Sequence, residues 1–225
     1  EMDSGLAPCI QEAIDNACDH CKLGYIPEPW KQRVAAACAG WQRSHYGWDV
    51  DPSIIRVVPD VLEAYEIFLR ELVGAGNSVI VPTPAYMPFL SVPKLYDVDV
   101  IEIEMLQSGD AETGEAQWVF DFDAIERAFA AGCHAFVLCN PHNPIGKVLT
   151  LEEELRLSDL AAQYDVRIFN DEIHAPFVFE GRHIPFPTIS EQAALQSMTA
   201  TSASKSFNIP GTKCAQVLPV SYTHL

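Results

Sequence analysis

Residues 135–146 read AFVLCNPHNPIG: five apolar residues, then a turn built from two Asn-Pro pairs and a glycine. An apolar run of strand length with no polar alternation belongs to a strand covered on both faces. The same device recurs. Val166–Asn170 (VRIFN) is followed by Asp171, Glu172, Ile173 and His174, and Met198–Ser202 (MTATS) by Ala203, Ser204 and Lys205. Between these strands lie helices. Thr150 and Glu153 form a capping box that opens one running to about Tyr164. A second spans about Glu191–Gln196. Short apolar strands alternating with helices predict an α/β fold, a mainly parallel sheet with helices on both faces.

Towards the N-terminus the pattern is looser. Residues 8–22 read as an amphipathic helix, and 23–30 (LGYIPEPW) as a loop holding two prolines. Residues 30–44 read as a helix with Trp30, Val34, Ala37, Cys38 and Trp41 on one face, and 45–59 are mixed. Asp60 is placed to cap a helix over Asp60–Val73, with Val61, Tyr65, Phe68 and Leu72 at helical spacing. Ser78–Val81 and Val98–Glu104 read as strands, Asp121–Ala131 as a helix.

Composition narrows the class. The 225 residues carry 14 Lys+Arg against 31 Asp+Glu, a formal net charge of −17. This acidity argues against a nucleic-acid partner, which needs a basic patch. A hydrophobic content of 48% supports a sizeable core. No apolar run is long enough to cross a membrane, and the start shows no signal peptide. The seven cysteines (9, 18, 21, 38, 133, 139, 214) sit mostly in apolar segments, as expected of reduced, buried thiols in a cytoplasmic protein. Cys18 and Cys21 form a CxxC with no second pair, so a core reading is preferred to a metal site. The scattered His20, His45, His134, His142 and His183 have no metal-ligand spacing.

In sheets of this kind a ligand lies beyond the carboxyl ends of the strands. Three strand ends here present an amide, a carboxylate and a lysine. An amine at the mouth of an apolar sheet loses solvation, which favours its neutral, nucleophilic form. A carboxylate can pair with a protonated ring nitrogen, and an Asn amide can donate to a phenolic oxygen. Those are the partners that pyridoxal 5'-phosphate (PLP) requires of its protein.

The segments NPHNPIG (140–146), NDEIH (170–174) and SASKSFNIPGTK (202–213) resemble the PLP-dependent class I/II aminotransferase-like family of fold type I. The similarity is closest to its carbon–sulfur lyase branch, the cystathionine β-lyase-like enzymes. GYIPEPW, HYGWDVDP, VVPDVLEA and TPAYMPF agree in order and spacing, so the likeness runs from about Glu1 to about Val217.

The resemblance implies residue roles. Lys205 corresponds to the catalytic lysine covalently joined to the cofactor. Asp171 corresponds to the partner of the pyridine nitrogen, Asn143 to the donor to the phenolic oxygen, and Tyr86 to the ring stacked on the pyridine. His174 stands where many aminotransferases carry tyrosine, which is the mark of the lyase branch. Ser202 and Lys213 correspond to phosphate ligands, with Asp60 and Val61 at the start of a helix whose free N–H groups face the phosphate. Asp60 is a departure: its charge opposes a phosphate unless its side chain turns to cap the helix while Val61 supplies the N–H. Tyr25 corresponds to a tyrosine that reaches the neighbouring subunit's phosphate, implying a homodimer with shared sites.

The expected activity is β-elimination from cystathionine or cysteine conjugates, giving a thiol, pyruvate and ammonia. The alternatives are an aminotransferase, or a regulator of this fold acting through a protein partner. The expected organisation is an N-terminal helical segment (1–45), an incomplete PLP-binding large domain (46–218) and a tail (219–225) unlike the family. The start at EMD and the absence of a small domain with a carboxylate-binding arginine read as a fragment, expected to fold poorly and to lack turnover alone.

Overall fold

The computed structural model describes residues 5–20, 25–109 and 117–219. The elements in chain order are α1 (Pro8–His20), α2 (Glu28–Tyr46), β1 (Arg56–Val58), α3 (Val61–Phe68), β2 (Ser78–Thr83), α4 (Met87–Ser91), β3 (Asp99–Glu104), β4 (Leu106–Ser108), β5 (Gln117–Val119), α5 (Phe122–Ala130), β6 (Ala135–Cys139), α6 (Leu151–Tyr164), β7 (Arg167–Asp171), α7 (Glu191–Gln196), β8 (Ser197–Thr201) and β9 (Ala215–Pro219).

Seven strands form one sheet in the order β1-β9-β8-β7-β6-β2-β3. β3, β2, β6, β7 and β8 run parallel, while β9 and β1 are antiparallel to their neighbours. Hence β8, β7, β6 and β2 lie side by side and their carboxyl ends form one row. Alternation within each strand feeds two cores. Val137 and Cys139 of β6, with Phe169 of β7, pack under α3 against Tyr65 and Phe68. Phe136, Leu138 and Ile168 face the α5, α6 and α7 side, with Phe129, Leu157 and Ala193. Both faces are therefore dry, which is why β6 is apolar throughout.

Local signals explain the element starts. Thr150 accepts from Glu153 N and Glu153 returns a carboxylate to Thr150 N, completing the capping box. Asp60 and Asp121 cap α3 and α5 through Glu63 N and Ala124 N. α3 widens into a last turn, Leu69–Val73, closed by Gly74 N on Leu69 O.

Several expectations are corrected. α1 buries no residue, and Cys9 and Cys18 are exposed, so the core reading of that stretch does not hold; Cys21 lies outside the described residues. In α2 the buried positions are Ala35, Ala39 and Gln42, whereas Trp30 is exposed. The expected stripe of Val34, Ala37, Cys38 and Trp41 instead lines an open apolar recess of about 310 Å³ against Phe207 and Cys214. The mixed stretch 45–59 holds an edge strand, β1. β4 and β5 carry three residues each, too few for a periodicity to register. The start at EMD and residues 220–225 lie outside the described residues. No described helix is long and apolar enough to cross a membrane.

Candidate active site

The row of strand ends opens into a cleft of about 400 Å³. Nine of the ten candidate residues line it: Asp60, Val61, Tyr86, Asn143, Asp171, His174, Ser202, Lys205 and Lys213. Tyr25 does not; it is fully exposed on the approach to α2. A second recess, of about 370 Å³, shares His174, Ser204, Lys205 and Pro210 with the cleft and adds His142, Phe177 and Phe179.

Each side chain has its own support. Asp171 ends β7 between Cys139 of β6 and Ala200 of β8. It is 6% exposed, and its Oδ1 accepts from Ile173 N at 3.0 Å. Burial, opposed by that N–H and by the Lys205 charge, pushes its carboxyl up to about 7. A buried carboxylate at a cleft wall, short of donors, is a receptor for a cation.

Lys205 follows β8 on a turn closed by Phe207 N to Ala203 O (3.0 Å) and Ile209 N to Ser204 O (2.9 Å). Asn143 sits in the turn after β6, which is drawn tight by Gly146 N to His142 O and His142 N to Lys147 O, both 2.7 Å. Gly146 takes φ +70° there, a conformation that a Cβ disfavours. The side chains of Asn143, His174 and Lys205 make no hydrogen bond among the described residues, so all three remain available to a ligand. Burial, then the Lys205 charge, lowers the His174 pKa, which favours the neutral ring. Tyr86 precedes α4 and meets Phe89 edge-on at 5.6 Å.

At the start of α3 the capping Asp60 allowed for from sequence is found, and Lys213 adds a pairing to it. Asp60 does turn to cap α3, Oδ1 to Glu63 N at 2.9 Å, and its other oxygen takes Lys213 Nζ at 2.7 Å. Although burial opposes it, that pairing holds the Asp60 carboxyl below its usual value and lifts Lys213 above its own. Lys213 reaches Asp60 from a left-handed backbone position (φ 51°) as the chain turns into β9. Ser202 Oγ donates to Cys214 O at 2.7 Å and accepts from Ser204 N at 3.0 Å. These groups are thus internally paired, Lys213 with Asp60 and Ser202 with Cys214 and Ser204.

The donor set fits PLP: a donor-poor carboxylate for a ring cation, an uncommitted amide and amine, an aromatic wall, and a helix start beside a lysine. Among the described residues no group of three His, Cys, Asp or Glu could hold a metal ion.

Polar burial behind the cleft was missed from sequence. Asn140, Asn170, Glu154, Glu172 and His183 are each 3% exposed or less. The available signal was Glu154 itself, which shares the helical face of Leu157, Ser158 and Ala161.

Comparison with known proteins agrees with this geometry. The sequence profile of the family described as aminotransferase class I and II matches residues 9–221. A cystathionine beta-lyase of Corynebacterium glutamicum is 36% identical over 217 residues, 96% of this chain and 55% of the relative. Cystalysin from Treponema denticola, in a structure that contains a pyridoxal 5'-phosphate cofactor, is 28% identical with a TM-score of 0.88, over 97% of this chain and 54% of that one. N-Succinyldiaminopimelate aminotransferase from Mycobacterium tuberculosis is 26% identical with a TM-score of 0.87, over 96% and 55%. The chain spans about half the length of the curated relatives it matches.

Proposed function

Because the chain belongs to the aminotransferase class I and II family, we propose that it is the cofactor-binding part of a PLP-dependent carbon–sulfur β-lyase, converting cystathionine or cysteine conjugates to a thiol, pyruvate and ammonia. The carrying observation is the convergence of Lys205, Asp171 and Asn143, from three adjacent strand ends, in one cleft. Residues 46–218 form the cofactor-binding body and 1–45 an N-terminal arm. In the assembly, a homodimer, Tyr25 reaches the phosphate site of the neighbouring subunit.

When bound, PLP supplies the electron sink that makes the Cα proton of an amino acid removable. Lys205 would anchor it and, once displaced by the substrate's amino group, its freed amine would take the Cα proton at Nζ. Asp171 holds the proton on the ring nitrogen, since a buried carboxylate gains most from a cation in contact. Asn143 would donate its amide to the ring oxygen, with the neutral His174 ring lining the same cleft. Tyr86 would supply an aromatic wall for the ring. Lys213, Ser202 and the N–H of Val61 hold the phosphate, with Asp60 kept off it by its cap.

The lyase reading is favoured by His174 and by the lyases among the more identical relatives. A second reading, transamination, is favoured by the likeness to the aminotransferase of Mycobacterium tuberculosis.

The test gives the full-length enzyme PLP and L-cystathionine without a keto acid, then measures pyruvate and released thiol. Both products are expected, and Lys205→Ala abolishes them. Amino-group transfer on adding a keto acid, with no pyruvate beforehand, would replace the lyase by an aminotransferase.

A further inference from the structure

Behind the cleft wall lies a buried contact that none of the roles above uses. Glu154, on the inner face of α6, is wholly buried. Its Oε1 accepts from Asn140 Nδ2 at 2.6 Å. Asn140 is the first residue after β6. Its Oδ1 accepts from Leu149 N at 3.1 Å and its own N–H donates to Asp171 O at 3.0 Å. One side chain therefore ties the start of the turn to its end, nine residues on, while the same residue's backbone ties the turn to β7.

We propose that Glu154 is a positioning residue of the cofactor site: through Asn140 it holds shut the 140–149 turn, and so keeps Asn143 in register with Asp171. This rests on the reading of Asn143 and Asp171 as cofactor partners, but the brace can be tested apart from it.

The charge state of Glu154 follows from its neighbours. Glu172, after β7, lies close enough to act on it electrostatically. Glu172 has two donors on its Oε1, Asn170 Nδ2 at 2.7 Å and Phe186 N at 3.0 Å, while its Oε2 lies 3.2 Å from His183 Nε2 without a hydrogen bond. Glu153, next to Glu154 on α6, is neutralised by Lys147 at 2.9 Å. Glu154 has the Asn140 amide alone, and its Oε2 has no hydrogen-bond partner. Two carboxylates in one dry interior do not both ionise readily, and the one with fewer donors gives up its charge. Burial first, then the Glu172 charge, accordingly pushes Glu154 up to about 8. Glu154 acts near neutral pH as a carboxylic acid, whose shape and acceptor glutamine reproduces.

Hydrogen exchange on the full-length, cofactor-free protein tests this. At pH 7, Glu154→Gln is expected to protect the amides of 141–149 like wild type. Glu154→Ala exchanges them about tenfold faster, the scale of one lost buried hydrogen bond, with β3 unchanged. Between pH 7 and pH 9 wild type loses more protection, beyond the intrinsic effect of pH, than Glu154→Gln, which keeps only the Asp171 contribution common to both. Spectral titration with PLP follows the same order, weakened about tenfold in the alanine variant and within about twofold of wild type in the glutamine one. Wild-type protection in Glu154→Ala, or equal loss in the glutamine and alanine variants, overturns the proposal. Should the alanine variant not fold, the pH comparison decides, and identical responses of wild type and Glu154→Gln overturn it. If PLP binds neither protein while the exchange pattern holds, the cofactor reading fails and the brace stands.

Discussion

Asp171 sets a conflict between stability and function within one side chain. In the unfolded chain its carboxyl titrates near the ordinary 3.8; in the fold, burial moves it to about 7. The folded state thus favours the neutral acid. The stability tied to that proton is fully present below about pH 4 and is lost as pH rises through about 7. Above that, an ionised carboxylate sits in a dry wall with Ile173 N and the Lys205 charge as compensation. Asp171→Asn keeps an acceptor for Ile173 N and carries no charge. Cofactor-free Asp171→Asn should therefore melt above wild type at pH 8, by up to about 4 kcal/mol on the three-unit shift, and close to it at pH 4. Its PLP affinity should fall, because the ring cation loses its partner. Paired thermal melts at the two pH values check the sign. The Glu154 contribution is common to both proteins and cancels. A variant less stable than wild type at both pH values would mean that burial does not strain this carboxylate.

At the scale of elements, what the sequence revealed depends on how each element earns its place. β6, β7 and β8 are covered on both faces, so β6 is apolar throughout and β7 and β8 are almost wholly buried, and the residues after them were legible as a site. α6 was legible from its capping box, a signal contained in four residues. α2 was not. Its apolar spacing is real, yet that stripe faces an open recess, while Ala35 and Ala39, too small to dominate a pattern, make the contact. β1 and β9 are held by pairing with each other and with β8, a long-range fact absent from local sequence. The Asn140–Glu154 and Asn170–Glu172–His183 contacts were hidden for the same reason: polar residues read as solvated until a partner is known. The site geometry rests on an aromatic knot under β7. Phe169 meets Tyr65, Phe68 and Phe89 at centroid distances of 4.9, 5.6 and 6.2 Å. Phe169→Ala should cost about 3–5 kcal/mol in chemical denaturation. It should also slacken Asp171, two residues on, visible as weaker PLP binding. A loss below about 1 kcal/mol would mean that the neighbouring rings close the gap.

At the scale of the molecule, the remaining question is what meets Tyr25. Tyr25, Ile26 and Trp30 form an exposed apolar run at the start of α2, clear of the cleft. Apolar side chains in such a run gain by association. Against this stands the formal charge of −17 on these 225 residues of each chain, which repels a second copy over roughly a Debye length, about 8 Å at physiological salt. The proposed homodimer should therefore tighten as salt rises, the reverse of an interface held by ion pairs. Shared sites make a sharper prediction. A Tyr25→Ala protomer keeps its own Lys205 but offers no tyrosine to its partner; a Lys205→Ala protomer keeps its tyrosine but has no amine. Each homodimer is defective at both sites. In a hybrid, the Lys205 of the first protomer meets the Tyr25 of the second, so one of two sites is whole. With full-length proteins mixed equally and allowed to exchange, about half the dimers are hybrids, which restores about a quarter of the wild-type sites to a two-fold assembly. Recovery of PLP binding and turnover to about that level would place Tyr25 across the interface. Mixtures no better than the mean of the two variants, with exchange verified by mass, would leave each site built from one chain.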